Sequence, residues 1–270
     1  MIGQVIETAP APRPVRPPLK WAGGKRWLIP HLAPLWRPYR SRRLVEPFAG
    51  GLAVSLGLQP EHALCNDINR HVINFYRQVQ LGLTGTIRMA NDRDLYYEHR
   101  DRFNALIRDG EDGSPLAAEL FYYLNRTGFN GLCRFNRRGE FNVPFGRYAK
   151  IVYKREFASL QAALSDWQLT SVHFSELPIT AADFVYADPP YDVEFTSYSS
   201  EAFGWRQQVQ LAEWLASLDV PVVASNQATA RILSLYSSLG FKFTVLDAPR
   251  MISCNGDRSK AREMLATRNL

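Results

Sequence analysis

The sequence predicts an α/β protein with a mostly parallel β-sheet and one large insertion. Short β-favouring segments alternate with segments of helical periodicity, which is the order of βαβ units, and residues 70–149 break that alternation. The chain has 270 residues, 46% of them hydrophobic and 21% charged, which is typical of a globular protein. No apolar run is long enough to cross a membrane, so we expect no membrane partner.

The first 18 residues hold five prolines and almost no apolar periodicity, so we expect a disordered or extended arm. The chain begins without the basic-then-apolar order of a secretory signal, which favours a cytoplasmic location. Residues 19–25 (LKWAGGK) place two glycines between Trp21 and Lys25. They predict backbone that approaches a ligand, or simply a turn before a helix. Pro30 and Pro34 should interrupt the helical pattern that follows, leaving only short helical pieces.

Residues 43–52 (RLVEPFAGGL) predict a strand, a glycine turn and the start of a helix. Many βα units have glycine at this turn, so the turn alone does not specify a ligand. A second strand at 63–66 brings Asp67 to about twenty residues after the first strand, where a carboxylate can hold ribose hydroxyls. The turn lacks the G-x-G-x-x-G spacing of a pyrophosphate cradle. The two segments therefore favour a cofactor with a ribose but no pyrophosphate, such as S-adenosylmethionine.

The predicted insertion is helical up to about residue 125, and its last part is basic. Residues 126–150 carry six basic residues against one acidic residue, with aromatic residues interleaved, and residues 137–140 (RRGE) should form a hairpin tip. A charged segment is often only a solvated face. The mixture of basic and aromatic residues, with a net charge of +6 for the chain, favours nucleic acid as the partner.

Regular βα order should return after the insertion. We predict helices near 154–166, 206–218 and 227–239, and strands near 168–174, 184–187, 221–224, 241–247 and 263–267. Proline cannot continue a central strand, so Asp188 should stand at the carboxyl edge of the sheet, where open α/β sheets bind ligands. The Asp188 carboxylate, the Pro189 carbonyl and the Tyr191 ring predict a pocket for a planar base with an exocyclic amine. A plain Asp-Pro turn is the alternative.

The three cysteines, Cys65, Cys133 and Cys254, are far apart in the chain and form no C-x-x-C pair. None has a histidine at zinc spacing, and none is preceded by proline. We interpret them as small core or surface residues, and the sequence predicts neither a disulfide framework nor a metal site.

Four segments, in this order, resemble the DNA adenine methyltransferase (Dam) family: residues 20–25 (KWAGGK), 46–50 (EPFAG), 124–134 (LNRTGFNGLCR) and 138–148 (RGEFNVPFGRY). The resemblance runs from about residue 19 to residue 265 and includes residues 211–213 (LAE) and 252–256 (ISCNG). It implies a Rossmann-like, seven-stranded methyltransferase fold, with S-adenosylmethionine as methyl donor, S-adenosylhomocysteine as product and no metal. It also implies that the substrate is double-stranded DNA, methylated at N6 of a flipped-out adenine, commonly within GATC.

The resemblance further implies roles for segments and single residues. Residues 19–69 and 150–270 would form the catalytic domain, and 70–149 the DNA target-recognition insertion. The residues implied at the cofactor are Trp21, Lys25, Glu46, Phe48, Gly50, Asp67 and Asp188, and those at the target adenine are Asp188, Pro189 and Tyr191. The residues implied at the DNA are Lys20, Phe129, Asn130, Leu132, Arg134, Asn136, Arg137 and Pro144, with Arg134 at the first guanine and Phe129 as a wedge between bases. The chain departs from the family at Leu52, where members usually have glycine.

The implied chemistry needs few groups. The adenine amine is a poor nucleophile because its lone pair is shared with the ring, and two acceptors, Asp188 and Pro189, can hold its hydrogens so that the lone pair points at the methyl group.

Two other hypotheses for the function remain. One is a methyltransferase for protein glutamine or RNA, which would usually have asparagine at position 188 and would not need the basic insertion. The other is a catalytically inactive DNA-binding relative. We expect a monomer in solution.

Overall fold

The computed structural model describes residues 15–191, 203–248 and 261–270. Within these ranges, seven strands form one sheet: β1 (Arg43–Glu46), β2 (Ala63–Asn66), β3 (Trp167–Thr170), β4 (Asp183–Ala187), β5 (Val222–Gln227), β6 (Lys242–Ala248) and β7 (Ala261–Arg268). The order across the sheet is β3-β2-β1-β4-β5-β7-β6, and β7 runs antiparallel to its two neighbours while the other pairs are parallel. The predicted α/β fold with a seven-stranded, mostly parallel sheet is confirmed.

The helices of the described chain are α1 (Ile29–Trp36), α2 (Ser55–Leu58), α3 (Arg70–Gln80), α4 (Arg93–Arg108), α5 (Pro115–Thr127), α6 (Ala158–Leu164), α7 (Trp205–Ala216) and α8 (Ala230–Ser238). Several begin where a short polar side chain accepts from the first free N–H groups. Asn69 caps α3, Asp92 caps α4 and Ser114 caps α5 in this way. No helix among the described residues is both long and apolar enough to cross a membrane.

Around the two early prolines, the helical pieces are short, as predicted, but the predicted interruption is wrong at Pro34. Helix α1 starts one residue before Pro30 and continues through Pro34. Pro30 lies in the first turn, where an N–H has no partner within the helix, so its ring is tolerated there. Pro34 removes one hydrogen bond, and burial of Leu32 and Trp36 on the same helix offsets that loss.

The sheet is covered by hydrophobic side chains on both faces. Alternate residues of a strand point to opposite sides, so Leu44 and Phe184 belong to one buried cluster, while Val45 and Val185 belong to the other. Helices α7 and α8 cover the second face. The first face is covered by α1, α3 and α6, and its cluster continues without a break into the insertion through buried residues such as Phe103.

The insertion places α3, α4 and α5 before a long hairpin-like loop at 128–146. Two antiparallel bridges, Gly128 with Phe145 and Phe135 with Phe141, hold the two arms of this loop together. The predicted tip at 137–140 is confirmed, because the N–H of Asn136 donates to the Glu140 carbonyl at 2.8 Å and closes the turn. We call residues 128–146 the recognition hairpin. The division of the chain into domains stays a prediction.

Some predictions fall on residues that the structure does not describe. They are most of the arm at 1–18, the segment 252–256 and Cys254. Of the other two cysteines, Cys65 is buried and Cys133 is partly exposed, and both are free thiols.

Candidate active site

A cleft lies at the carboxyl ends of the central strands. Strands β2 and β3 lie on one side of β1, and β4 and β5 lie on the other, so the strand order reverses between β1 and β4. Its volume is about 780 Å³. Every residue predicted to contact the cofactor or the target base lines it: Trp21, Lys25, Glu46, Phe48, Gly50, Asp67, Asp188, Pro189 and Tyr191. The structure thus brings together segments that are far apart in the sequence, and the roles of these residues remain predictions.

The glycine turn after β1 packs tightly against Trp21. A Cβ atom at Gly50 would lie 2.4 Å from Nε1 of Trp21, and one at Gly51 would lie 2.9 Å from Cβ of Trp21. Gly50 also has a φ of 46°, in the region that favours glycine. Both positions therefore require glycine, which explains the sequence spacing of this turn.

Leu52 has a φ of 56°, although it stands where the family usually has glycine. Residues with a side chain rarely adopt this backbone conformation, at a cost of order 1–3 kcal/mol. The Leu52 side chain is fully buried in the core, and it is not among the residues that line the cleft. The turn therefore keeps a glycine-like backbone path, and burial of the leucine side chain offsets part of the strain.

Asp67 joins the ends of β1 and β2. Its Oδ2 accepts from the N–H of Gly50, and its Oδ1 accepts from the N–H of Asn69, both at 2.9 Å. Burial raises the pKa of Asp67, and these two hydrogen bonds counteract the rise. Each carboxylate oxygen can accept a second hydrogen bond, so Asp67 is held in place and can still take hydroxyl donors from a ligand in the cleft.

Asp188 is anchored through one oxygen. Its Oδ1 lies 2.7 Å from Nζ of Lys25 and accepts from Oγ of Ser225 at 2.9 Å. Burial raises the pKa of Asp188, while Lys25 and Ser225 favour the charged form. No described residue donates a hydrogen bond to Oδ2, which leaves this atom available for a donor in the cleft.

Of the two prolines after Asp188, Pro190 is fixed by a hydrogen bond from a buried side chain. Nε2 of Gln208 donates to the Pro190 carbonyl at 2.8 Å, and Oε1 of Gln208 accepts from Nδ2 of Asn226 at 2.9 Å. Gln208 and Asn226 are fully buried. Within the described chain no donor contacts the Pro189 carbonyl, so this acceptor stays available beside Asp188.

Tyr191 and Lys25 both contact a carboxylate on β7. The Tyr191 hydroxyl donates to Oε2 of Glu263, and Nζ of Lys25 lies 3.5 Å from Oε1 of the same residue. The Lys25 ammonium also lies 4.7 Å from the centre of the Tyr191 ring. Lys25, Tyr191, Asp188 and Glu263 therefore form one connected group of side chains at the base of the cleft.

Ser225, Gln208 and Glu263 were missed by the sequence reasoning. All three are almost fully buried. On their strands, Ser225 follows Val-Val-Ala and Glu263 precedes Met-Leu-Ala, whereas Gln208 lies on α7 beside Gln207. A buried polar side chain needs a partner, so a polar residue in an apolar strand was a usable signal. The partner itself could not be identified, because it comes from a different strand or loop.

The residues predicted to contact DNA lie mostly on the exposed surface of the recognition hairpin. Phe129 is 47% exposed, and its N–H donates to the Pro144 carbonyl at 2.9 Å, which places these two residues side by side. Exposed residues of the same predicted set are Asn130, Arg134, Asn136, Arg137 and Pro144, and Leu132 is half-buried. The role of Phe129 in contact with DNA remains a prediction.

Asn136 and Arg134 have partners within the hairpin. Oδ1 of Asn136 accepts from the N–H groups of Arg138 and Glu140, at 2.9 and 3.0 Å, and so forms the turn. Nε of Arg134 donates to Oδ1 of Asn142 at 2.8 Å, and its NH2 group donates to the Asn142 carbonyl at 3.2 Å. The guanidinium of Arg134 is exposed yet held in one direction.

Lys20 connects the first glycine turn to the insertion. Its backbone N–H and carbonyl bond to the side-chain amide of Asn125, both at 2.8 Å. Its ammonium donates to the Arg126 carbonyl at 2.9 Å and lies 3.4 Å over the Tyr148 ring. Burial, then the neighbouring Arg126, lowers the pKa of Lys20 to about 8. The charged group of Lys20, like that of Arg134, therefore already has partners within the protein.

Comparison with known proteins gives consistent matches over most of the chain. Residues 21–252 match the family model described as D12 class N6 adenine-specific DNA methyltransferase. The chain is 35% identical to the DNA adenine methylase of Haemophilus influenzae, covering 93% of each protein. It is 36% identical to the DNA adenine methylase of Escherichia coli strain K12, covering 92% of this chain and 93% of that protein. It is also 36% identical to the type II methyltransferase M1.LlaDCHI of Lactococcus lactis subsp. cremoris, covering 92% of each.

Proposed function

Because the chain belongs to the family of D12 class N6 adenine-specific DNA methyltransferases, and is therefore a DNA adenine methyltransferase, we propose that it methylates adenine N6 within GATC in double-stranded DNA. The methyl donor in this proposal is S-adenosylmethionine, and the target adenine leaves the duplex before it reacts. The observation that carries the proposal is the anchoring of Asp188 by Lys25 and Ser225 in the wall of a cleft built from two glycine turns.

The cleft fits S-adenosylmethionine. This cofactor supplies an electrophilic methyl group on a positively charged sulfur when it is bound. Asp67 offers acceptors for ribose hydroxyls, and the packed turn of Gly50 and Gly51 keeps side chains out of the cleft floor. The carboxylates of Asp67 and Asp188 face the cleft against the single ammonium of Lys25, which favours a cationic ligand.

Asp188, Pro189 and Tyr191 would bind the target base. Oδ2 of Asp188 and the Pro189 carbonyl can each accept one hydrogen of the adenine amine, which directs the nitrogen lone pair out of the ring plane. A carboxylate fixed by two partners needs no reorganisation as positive charge develops on that nitrogen. Taking the base out of the duplex costs a few kcal/mol, and stacking on Tyr191 offsets part of this cost.

DNA recognition would be performed by the recognition hairpin. Arg134 presents an exposed guanidinium in a defined direction, and such a group can bond both major-groove acceptors of guanine. The exposed ring of Phe129 is suited to enter between bases. The resemblance of residues 124–134 and 138–148 to the Dam family supports GATC as the target sequence.

The test is methyl transfer to defined duplexes. We expect purified protein with labelled S-adenosylmethionine to form N6-methyladenine in a GATC duplex and much less in a duplex with an altered site. Asp188→Ala should lower the single-turnover rate by about 10²-fold or more and leave duplex binding in place, because one positioned acceptor is lost. Asp219→Ala, which removes an exposed carboxylate, is the control.

Three outcomes would contradict parts of the proposal. Absence of methyl transfer to any duplex by the parent protein would contradict the function, and equal rates on GATC and altered duplexes would contradict the specificity. A rate for Asp188→Ala within about threefold of the parent would contradict the role of that carboxylate.

A further inference from the structure

We propose that Glu263 is a positioning residue for methyl transfer, which fixes the Tyr191 ring and the Lys25 ammonium and, through Lys25, the Asp188 carboxylate. The inference rests on the proposed function, because Tyr191 and Asp188 are taken there as the groups that hold the target adenine. Glu263 itself touches neither the base nor the cofactor in this scheme.

The contacts place Glu263 behind both groups. Its Oε2 accepts from the Tyr191 hydroxyl, and its Oε1 lies 3.5 Å from Nζ of Lys25. The same ammonium lies 2.7 Å from Oδ1 of Asp188. The Glu263 carboxylate therefore contacts Tyr191 directly and is connected to Asp188 through Lys25. Tyr191 and Asp188 are both predicted to bind the target base.

Glu263 is well placed to hold them because it lies inside the sheet. Strand β7 pairs with β5 on one side and β6 on the other, with Gln227 and Leu246 opposite Glu263. Tyr191 and Asp188, in contrast, lie on the turn after β4. A group on a paired strand keeps its position more closely than a group on a loop.

Packing alone does not account for a carboxylate at this position. Glu263 is 1% exposed and is followed by the buried residues Met264, Leu265 and Ala266. Burying a carboxylate is costly unless its oxygens have partners, and Oε1 has no hydrogen bond within the described chain, only the ion pair with Lys25. An apolar residue at this position would leave the Lys25 ammonium and the Tyr191 hydroxyl without this partner, so the carboxylate serves these two groups rather than the packing of β7.

We therefore expect loss of the Glu263 contacts to slow methyl transfer without weakening DNA binding. If the Tyr191 hydroxyl is released, the ring can tilt, and the amine of a base stacked on it moves relative to Asp188. Small displacements of reacting groups slow a positioned reaction strongly, while overall contact with the duplex is little changed.

The experiment is a double-mutant cycle on the single-turnover rate at saturating S-adenosylmethionine and GATC duplex. We expect Glu263→Gln and Tyr191→Phe each to slow methyl transfer by about tenfold or more. Both changes weaken the contact between residues 191 and 263, Tyr191→Phe by removing the hydroxyl and Glu263→Gln by removing the charge of its acceptor. The effect in the double variant should therefore be smaller than the product of the two single effects. Glu213→Gln, the same change at an exposed position on α7, is the matched control and should keep the parent rate.

A second measurement separates positioning from a loss of stability. With 2-aminopurine at the target position, the complex of Glu263→Gln should fluoresce more strongly than the parent complex, because stacking on a loosened Tyr191 quenches less. Tyr191→Phe leaves β7 unchanged, so it tests the same contact even if Glu263→Gln does not fold.

Several results would overturn the inference. They are rates for Tyr191→Phe or for folded Glu263→Gln within about threefold of the parent, effects that multiply in the double variant, or unchanged 2-aminopurine fluorescence in a slowed Glu263→Gln variant. Failure of the parent to methylate DNA would instead contradict the proposed function, so the two failures are distinguishable.

Discussion

Four acidic side chains surround or underlie the cleft, and burial raises the pKa of each: Glu46, Asp67, Asp188 and Glu263. The four side chains differ in the contacts that oppose this rise in pKa. Asp67 accepts two backbone N–H groups, and Asp188 and Glu263 lie near Lys25. Among the described residues, Glu46 has only Ser55 as a hydrogen-bond partner, and burial raises its pKa to about 8. At neutral pH, Glu46 is therefore mostly uncharged.

Glu46→Gln should change the pH dependence of stability. The pKa of Glu46 in the folded chain, about 8, lies above the usual 4.5, so folding favours the protonated form. This group therefore destabilises the parent progressively as the pH rises from about 4.5 to about 8, by up to roughly 1.4 kcal/mol per pH unit. Glutamine cannot ionise. The free energy of unfolding of the variant should therefore rise relative to that of the parent as the pH increases over this range. Urea unfolding at about pH 5 and about pH 8 measures the difference.

Glu213→Gln, at an exposed position on α7, is the control for this measurement and should follow the parent. If Glu46→Gln and the parent instead show the same change of unfolding free energy with pH, Glu46 is not held protonated by the fold.

The direction of the recognition hairpin depends on its contacts with helix α4. In the proposed function its exposed side chains contact DNA, while buried side chains set its direction. Phe141 is 1% exposed, and its N–H donates to Oδ1 of Asn104 on α4 at 2.8 Å, while Nδ2 of Asn104 donates to the Phe141 carbonyl at 3.1 Å. Arg108 on the same helix lies 2.8 Å from Glu140 near the hairpin tip. Helix α4 therefore fixes the hairpin arm from which Asn142 holds Arg134.

Arg134→Ala should relax sequence discrimination. If Arg134 reads guanine, the variant should lose about 1–3 kcal/mol of discrimination at one base position. Measurement of kcat/KM on GATC duplexes and on duplexes changed at the first guanine tests this. Arg137→Ala at the exposed hairpin tip is the matched control, and it should weaken both duplexes together. A ratio between the two duplexes that Arg134→Ala leaves unchanged would assign Arg134 to phosphate contact instead.

For the whole molecule, the continuous hydrophobic cluster joins the sheet to the insertion. Phe75, Phe103 and Phe141 belong to the same cluster as Leu44 and Phe184. The backbone of Lys20, beside the first glycine turn, is also bonded to Asn125, 105 residues away in the insertion. Segments that share a core and such contacts are expected to unfold together rather than one after the other.

Thermal unfolding should therefore be one transition. All six tryptophans lie outside residues 70–149, so tryptophan fluorescence reports on the sheet while far-ultraviolet circular dichroism includes the insertion helices. The two midpoints should coincide, and S-adenosylmethionine at about 100 times its Kd should shift both by an equal amount, equivalent to about 2.7 kcal/mol. Separate midpoints would show that the insertion is an independent folding unit.

The sequence by itself determined the type and order of most strands and helices, and nine of the residues that line the cleft. Strand β2 has the predicted bounds, and β1 begins the segment 43–52 as predicted, because apolar runs between glycine, proline and aspartate are local signals. Strand β3 ends earlier than predicted, at Thr170, because the His173 side chain accepts from the N–H of Ser175 and starts a 3-10 turn. Strand β5 runs on through three polar residues because β7 pairs with them.

Only the tertiary structure decided which residues support the predicted ones. Ser225 lies 37 residues from Asp188, and Glu263 lies 72 residues from Tyr191. Periodicity and turn signals act over a few residues, whereas these contacts depend on the order of strands in the sheet. Strand β7 lies between β5 and β6, and this non-sequential order brings Glu263 beneath the cleft. The anchoring of the predicted active-site groups is thus a property of topology, because burial of a charged side chain is favourable only where the fold supplies its partner.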